Sequence, residues 1–192
     1  MKGVFRSRKG TEKLSKDSTS QNDDQELSEW GILITVVLGG VLAPLNSTMI
    51  AVTLPRIMEA FDAPLTSAGW LVTAYLIAMA SLQPITGKLG DRLGRRRLIL
   101  GGLVYFGCAS IGAAMASGFW MLLFFRIQQA IAGAILLPNG VALMREVVPE
   151  KRRASRFGLV GSAMALSATA GPPLGGFLVA IADWHAIFYV NL

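Results

Sequence analysis

Five stretches of this chain carry no Asp, Glu, Lys or Arg: Gly31–Pro55, Ala63–Gly87, Leu98–Phe125, Ile127–Met144 and Phe157–Ala182. The shortest of them is 18 residues long. A mainly apolar run of about that length crosses the hydrocarbon core of a bilayer as one helix. A surface helix of a soluble domain would show a polar stripe along one face, and these runs show none. The expectation is an all-α membrane protein. Charged residues are 16% of the chain, against about 25% in ordinary soluble domains.

The net charge of +6 raises nucleic acid as a partner. Its distribution argues against that. Of the 18 Lys and Arg residues, six fall in 1–29, five in 88–97 and five in 145–156. Clusters between apolar spans follow the positive-inside rule for cytoplasmic loops. The partner expected is therefore a lipid bilayer, with no nucleic acid. The location expected is the cell membrane, multi-pass, with the N-terminus cytoplasmic. The one cysteine, Cys108, lies in an apolar run and reads as a packing residue rather than a nucleophile. No catalytic constellation, metal cluster or cofactor motif is present, so an enzyme is not expected.

Residues 1–29 mix six basic and six acidic side chains with Ser, Thr and Gln. Such a segment buries too little apolar surface to offset chain entropy and is expected to be a disordered cytoplasmic tail. Residues 30–192 are expected to form an incomplete N-terminal transmembrane bundle. The first span is placed at Gly31–Leu54, kinked at Pro44 and ended by Pro55. A short loop over 56–68 follows, with Thr66 or Ser67 capping a second span at Trp70–Leu89. The stretch Leu98–Met144 holds 47 residues. As one helix it would run to about 70 Å, too long for a bilayer. It must fold back, and Ser117-Gly118 is the breakpoint. That gives spans at Leu98–Ala116 and Trp120–Met144, then a fifth at Phe157–Ala182. Ile187–Val190 reaches only the first turn of a sixth.

A few polar residues stand inside these spans. Asn46, Ser47 and Thr48 follow the Pro44 kink. Asn46 either bonds a neighbouring helix or faces a central cavity. Arg126 is the only charge within a span. An arginine there costs about 2.5–3.5 kcal/mol on insertion scales, so it either snorkels to the outer interface or faces a polar site along a transport path. Gln129, three residues on, shares its face, and Gln128 does not. In the fifth span Ala163, Ser167, Gly171 and Gly175 make a stripe of small residues, which serves either close helix packing alone or packing at a moving interface.

Gly87-Lys-Leu-Gly-Asp-Arg-Leu-Gly-Arg-Arg-Arg resembles the loop 2–3 motif of the major facilitator superfamily, G-x-L-x-D-R-x-G-R-R. Three further stretches resemble motifs of its drug:proton antiporter branch, usually given fourteen spans. They are Leu45-Asn-Ser-Thr-Met-Ile-Ala-Val-Thr-Leu-Pro55 in the first helix, Arg126-Ile-Gln-Gln-Ala-Ile-Ala-Gly-Ala in the fourth, and Gly171-Pro-Pro-Leu-Gly-Gly176 in the fifth. Trp184-His-Ala-Ile-Phe-Tyr-Val-Asn191 is similar to the segment leading into helix six.

The resemblance implies a secondary-active exporter of small lipophilic or drug-like compounds, present as an N-terminal fragment of five helices and the start of a sixth. A truncated membrane protein without autonomous transport and an uptake symporter of the same fold are the alternatives. It implies a gating motif at Gly87, Gly90, Asp91, Arg92, Gly94, Arg95 and Arg96, with Asp91 near a helix N-terminus and Glu146 as partner of Arg95 or Arg96. It places Asn46, Arg126 and Gln129 on the path of transport or coupling. It makes Gly171, Pro172, Gly175 and Gly176 the interface that favours export. Two positions depart from the pattern. Asn46 replaces the family's aspartate, and an amide carries no proton near neutral pH. Ala130 replaces the usual glycine after Gln129.

Overall fold

The computed structural model describes the backbone of residues 4–191 and the side chains of residues 30–191. The expectation of a disordered tail over 1–29 falls outside the residues whose side chains are described. Among the described residues the structure is all helical: α1 (Val4–Phe61), α2 (Leu65–Ala68), α3 (Trp70–Leu93), α4 (Arg95–Ala114), α5 (Phe119–Val147), α6 (Glu150–Ala182) and α7 (Ala186–Tyr189). Five of them include a segment long and apolar enough to cross a membrane, beginning in α1 at Trp30.

The spans match the expected order, and their ends differ for local reasons. The first does not stop at Pro55. It runs on to Phe61 because Pro55 and Ala51, whose carbonyl loses its helical donor, are both exposed. The helix ends where Asp62 takes a left-handed φ of 47°. There the Ala63 N–H returns to the Met58 carbonyl at 3.0 Å, closing the last turn. Thr66 and Ser67 do not cap α3. They lie in α2, and the residue before α3 is Gly69, with no side-chain cap. α3 and α4 meet at Gly94, whose φ of 90° needs glycine, so α4 starts at Arg95 rather than Leu98. The fold-back at Ser117-Gly118 stands where expected, with Gly118 extended before α5. α6 starts at Glu150, about two turns earlier than charge alone indicated.

α5 is the centre of the bundle, packed against α1, α3 and α4, while α6 lies along α1. Small residues allow this. Ala130, Ala132, Gly133 and Ala134 are all buried on α5, so neighbouring backbones come close. The methyl of Ala130 is fully enclosed. Large apolar side chains such as Val104, Phe124, Leu166 and Phe177 are exposed. Cys108 is exposed too, and so is not the packing residue expected.

Two apolar clusters mark the ends of the bundle. One joins Ile50, Ile57, Leu71, Leu122, Trp184 and Phe188. The other joins Leu33, Val36, Met144, Val148 and Val160 at the basic end. Along α1 and α5 the stretch between them holds the polar residues.

Candidate functional site

Arg126 is fully buried. It does not snorkel. Its Nε donates to the Leu71 carbonyl of α3 at 3.3 Å, and its Nη1 donates to Gln129 Oε1 at 2.8 Å. Nη1 also donates to Asn46 Oδ1 on α1. Gln129 Nε2 donates onward to Ser110 Oγ of α4 at 2.8 Å, and Ser110 donates to the Phe106 carbonyl at 2.8 Å. The guanidinium carbon stands 4.3 Å from the centre of the Tyr75 ring, a cation–π contact that partly offsets desolvation. One arginine thus ties α1, α3 and α5 together and reaches α4 through Gln129.

Of the two readings of Asn46, the interhelical hydrogen bond is the one present. Its neighbours line a cavity of about 230 Å³ between α1, α3, α5 and α6, bounded by Pro44, Ser47, Tyr75, Leu76, Gly133 and Met164. Gln128 sits off this site, as helical spacing predicts, and accepts from the Tyr105 hydroxyl at 2.5 Å. Sequence reading overlooked Tyr75 and Ser110. A single tyrosine or serine in an apolar helix gives no period or spacing that marks it.

The basic end carries the second group. Arg95 donates to Asp91 at 2.5 Å and pairs with Glu146 of α5 at 3.0 Å. The partner expected for Glu146 is therefore Arg95 and not Arg96. Asp91 lies in the last turn of α3, not at a helix N-terminus. That end of a helix disfavours an anion, so Arg95 is what balances it. Arg92 and Arg96 are exposed, without an ion pair among the described residues.

The glycines of this motif have separate tasks. Gly87 passes Pro138 of α5, and Gly90 lies against the Asn139 side chain, in the space a Cβ would need. Asn139 Nδ2 donates to the Thr86 carbonyl at 3.1 Å and to Ile135 at 2.8 Å. The Thr86 hydroxyl donates to the Ala134 carbonyl at 2.5 Å. Thr86 and Asn139 therefore bolt α3 to α5 beside the Gly87–Arg97 stretch. Sequence reading missed both, although Asn139 is an amide in an otherwise apolar run.

On α6, Gly171 lies against Thr48 and 3.2 Å from the Leu45 carbonyl, measured from where a Cβ would stand. By the same measure Gly175 is 3.1 Å from Met49 Cα. Pro172 and Gly176 do not join this seam. They are exposed on the other side of the helix.

A model of the Major Facilitator Superfamily matches residues 36–192. The chain belongs to that superfamily. It is 44% identical over 164 residues to an uncharacterized MFS-type transporter of Bacillus subtilis, covering 85% of this chain and 37% of that protein. It is 34% identical to the multidrug transporter protein MdtP of the same species, covering 84% of this chain and 30% of that one. To the tetracenomycin C resistance and export protein of Streptomyces glaucescens it is 31% identical, over 85% of this chain and 30% of that one. The chain thus spans about a third of the length of these relatives. Among solved structures it superposes on a bacterial homologue of the human lysosomal transporter Spinster with a TM-score of 0.71. The identity there is 19%, and 85% of this chain and 40% of that one are covered. The five long helices belong to the N-terminal half of the superfamily fold.

Proposed function

We propose that the protein carrying this chain is a secondary-active exporter of small lipophilic compounds, of the drug:proton antiporter branch. The observation that carries this reading is the buried Arg126 network beside an apolar cavity among α1, α3, α5 and α6. An apolar pocket with a few polar side chains in its wall, here Ser47, Thr48 and Tyr75, has the composition of sites that bind small molecules. Relatives named for multidrug transport and for antibiotic resistance and export support it. The two halves of such a protein would rock about a midplane site. Residues 1–29 would be a cytoplasmic tail, 30–192 part of the N-terminal bundle, and the basic end would face the cytoplasm.

Proton coupling would not run through Asn46, which has no proton to exchange. Arg126 would act on charge elsewhere. The Asp91–Arg95–Glu146 group would hold the cytoplasmic side closed by joining α3 to α5. Export of a lipophilic dye from cells, and uptake into everted vesicles energised by a proton gradient, tests the reading. Loss of the gradient without loss of export would separate transport from proton coupling. No export of any lipophilic probe by the complete protein would sink the exporter reading.

Asp91→Asn is expected to slow export about fivefold, since removing about 1 kcal/mol from a two-state gate changes its ratio by that factor. Protein level and melting temperature should stay the same, because exposed ion pairs contribute little to stability. Wild-type export rates in this variant would refute the gating role.

A further inference from the structure

The buried network is unbalanced in one direction. Its acceptors, Asn46 Oδ1, Gln129 Oε1 and the Leu71 carbonyl, are all used. What remains without a partner among the described residues is Arg126 Nη2, Asn46 Nδ2 and the Tyr75 hydroxyl. All three side chains are at most 1% exposed. Two of these atoms are donors only, and the third is able to donate. One carries a full positive charge, and no ion pair to Arg126 occurs among the described residues. Buried donors without acceptors are costly, and a buried charge without a counter-ion costs more. An aspartate at position 46 would have met the need. Asn46 leaves it open.

Tyr75 connects this need to the cavity. Its ring lies against the guanidinium, and it forms part of the wall of the apolar cavity. A ligand in that cavity has an apolar surface for its body, and the unpartnered donors of Arg126 and Asn46 lie directly behind its Tyr75 wall. We propose that this is a receptor for an organic carboxylate. The ring or chain would fill the cavity, and the carboxylate would take its hydrogen bonds from Arg126 Nη2, Asn46 Nδ2 and Tyr75. Carboxylate and guanidinium form strong charge-assisted pairs. The site would discriminate against lipophilic cations by the same charge. This deepens the exporter reading and rests on it for the cavity being the substrate path.

The test uses the complete protein in lipid nanodiscs. Its probes are naphthoate and naphthamide, which share a ring system and differ in charge, together with tetraphenylphosphonium. Naphthoate is expected to bind at least about tenfold more tightly than naphthamide, as for one well-made charged contact. Arg126→Gln should erase that preference by weakening naphthoate binding. Asn46→Asp, which keeps the arginine and supplies an internal carboxylate, should erase it as well. Two variants at different residues, one removing the cation and the other pairing it internally, losing the same preference would not reflect misfolding. Equal affinity for acid and amide in the wild type, none for either included, overturns the proposal. So does an acid preference that survives Arg126→Gln. Vesicle transport separates the two readings. Export of naphthamide or the phosphonium without acid preference leaves the exporter standing and removes the carboxylate site. Arg126-dependent binding of naphthoate without export of any probe does the reverse.

Discussion

Arg126→Met is expected to stop transport by the complete protein while leaving its melting temperature unchanged or raised by a few degrees. The guanidinium has no exposure, and the oxygens it donates to are neutral. Placing such a charge inside a membrane protein costs about 2.5–3.5 kcal/mol. The hydrogen bonds it makes return an amount of similar size, at about 1.5 kcal/mol or more for each bond to a charged group. Methionine fills much of the same volume and removes both sides of that balance. Gln129 keeps its bond to Ser110 through Nε2, while Asn46 Oδ1, Gln129 Oε1 and the Leu71 carbonyl each lose one donor. Buried ionic groups replaced by apolar ones of similar size often leave stability equal or improved. The measurement is a thermal melt in detergent beside a flux assay. A fall of more than about 5 °C, roughly 1–2 kcal/mol for a domain of this size, would show that the arginine is chiefly a structural cross-link.

Gly175→Leu is the second large effect, and it should act on folding. A Cβ at Gly175 would stand 3.1 Å from Met49 Cα and 3.2 Å from the Met49 carbonyl oxygen. Both are backbone atoms of α1, which cannot swing aside as a side chain does. Overpacking of this kind costs about 1–3 kcal/mol, which is a fall of about 3–10 °C in melting temperature. The neighbouring Gly176→Leu is the control. Nothing lies within 4 Å of a Cβ at that position, so the melt should not change. Its transport should fall nonetheless if the exposed face with Pro172 and Gly176 is where another bundle closes, as the family resemblance implies. Equal melts for the two variants would remove the α1–α6 seam from the account of stability.

The order and number of the long helices were legible in the residues, because a span of apolar side chains without charge has few ways to exist in water. The fold-back at Ser117-Gly118 was legible from length alone. Helix ends were less so. Pro55 looked like a stop and is not, since its ring and the freed Ala51 carbonyl fall on an exposed face. Asp62 ends that helix instead through a left-handed turn that no apolar pattern announces. In the Gly87–Arg97 stretch the type of residue was readable and the geometry was not. Asp91 pairs with Arg95 at the wrong end of its helix for a dipole, and Arg95 rather than Arg96 reaches Glu146.

The amino-acid sequence by itself determined that this chain is a multi-span helical membrane protein, that its basic residues gather between spans, and that Arg126 must find protein or water. Those follow from composition, length and the cost of charge in hydrocarbon, which depend on no partner. Only the tertiary structure decided that Arg126 meets Asn46, Gln129 and Tyr75. It also decided that Gly171 and Gly175 face α1 while Pro172 and Gly176 do not, and that Thr86 and Asn139 bolt α3 to α5. Each of these rests on which helix lies beside which and at what rotation. Rotation about a helix axis changes every contact of a side chain while leaving the hydropathy of the segment untouched.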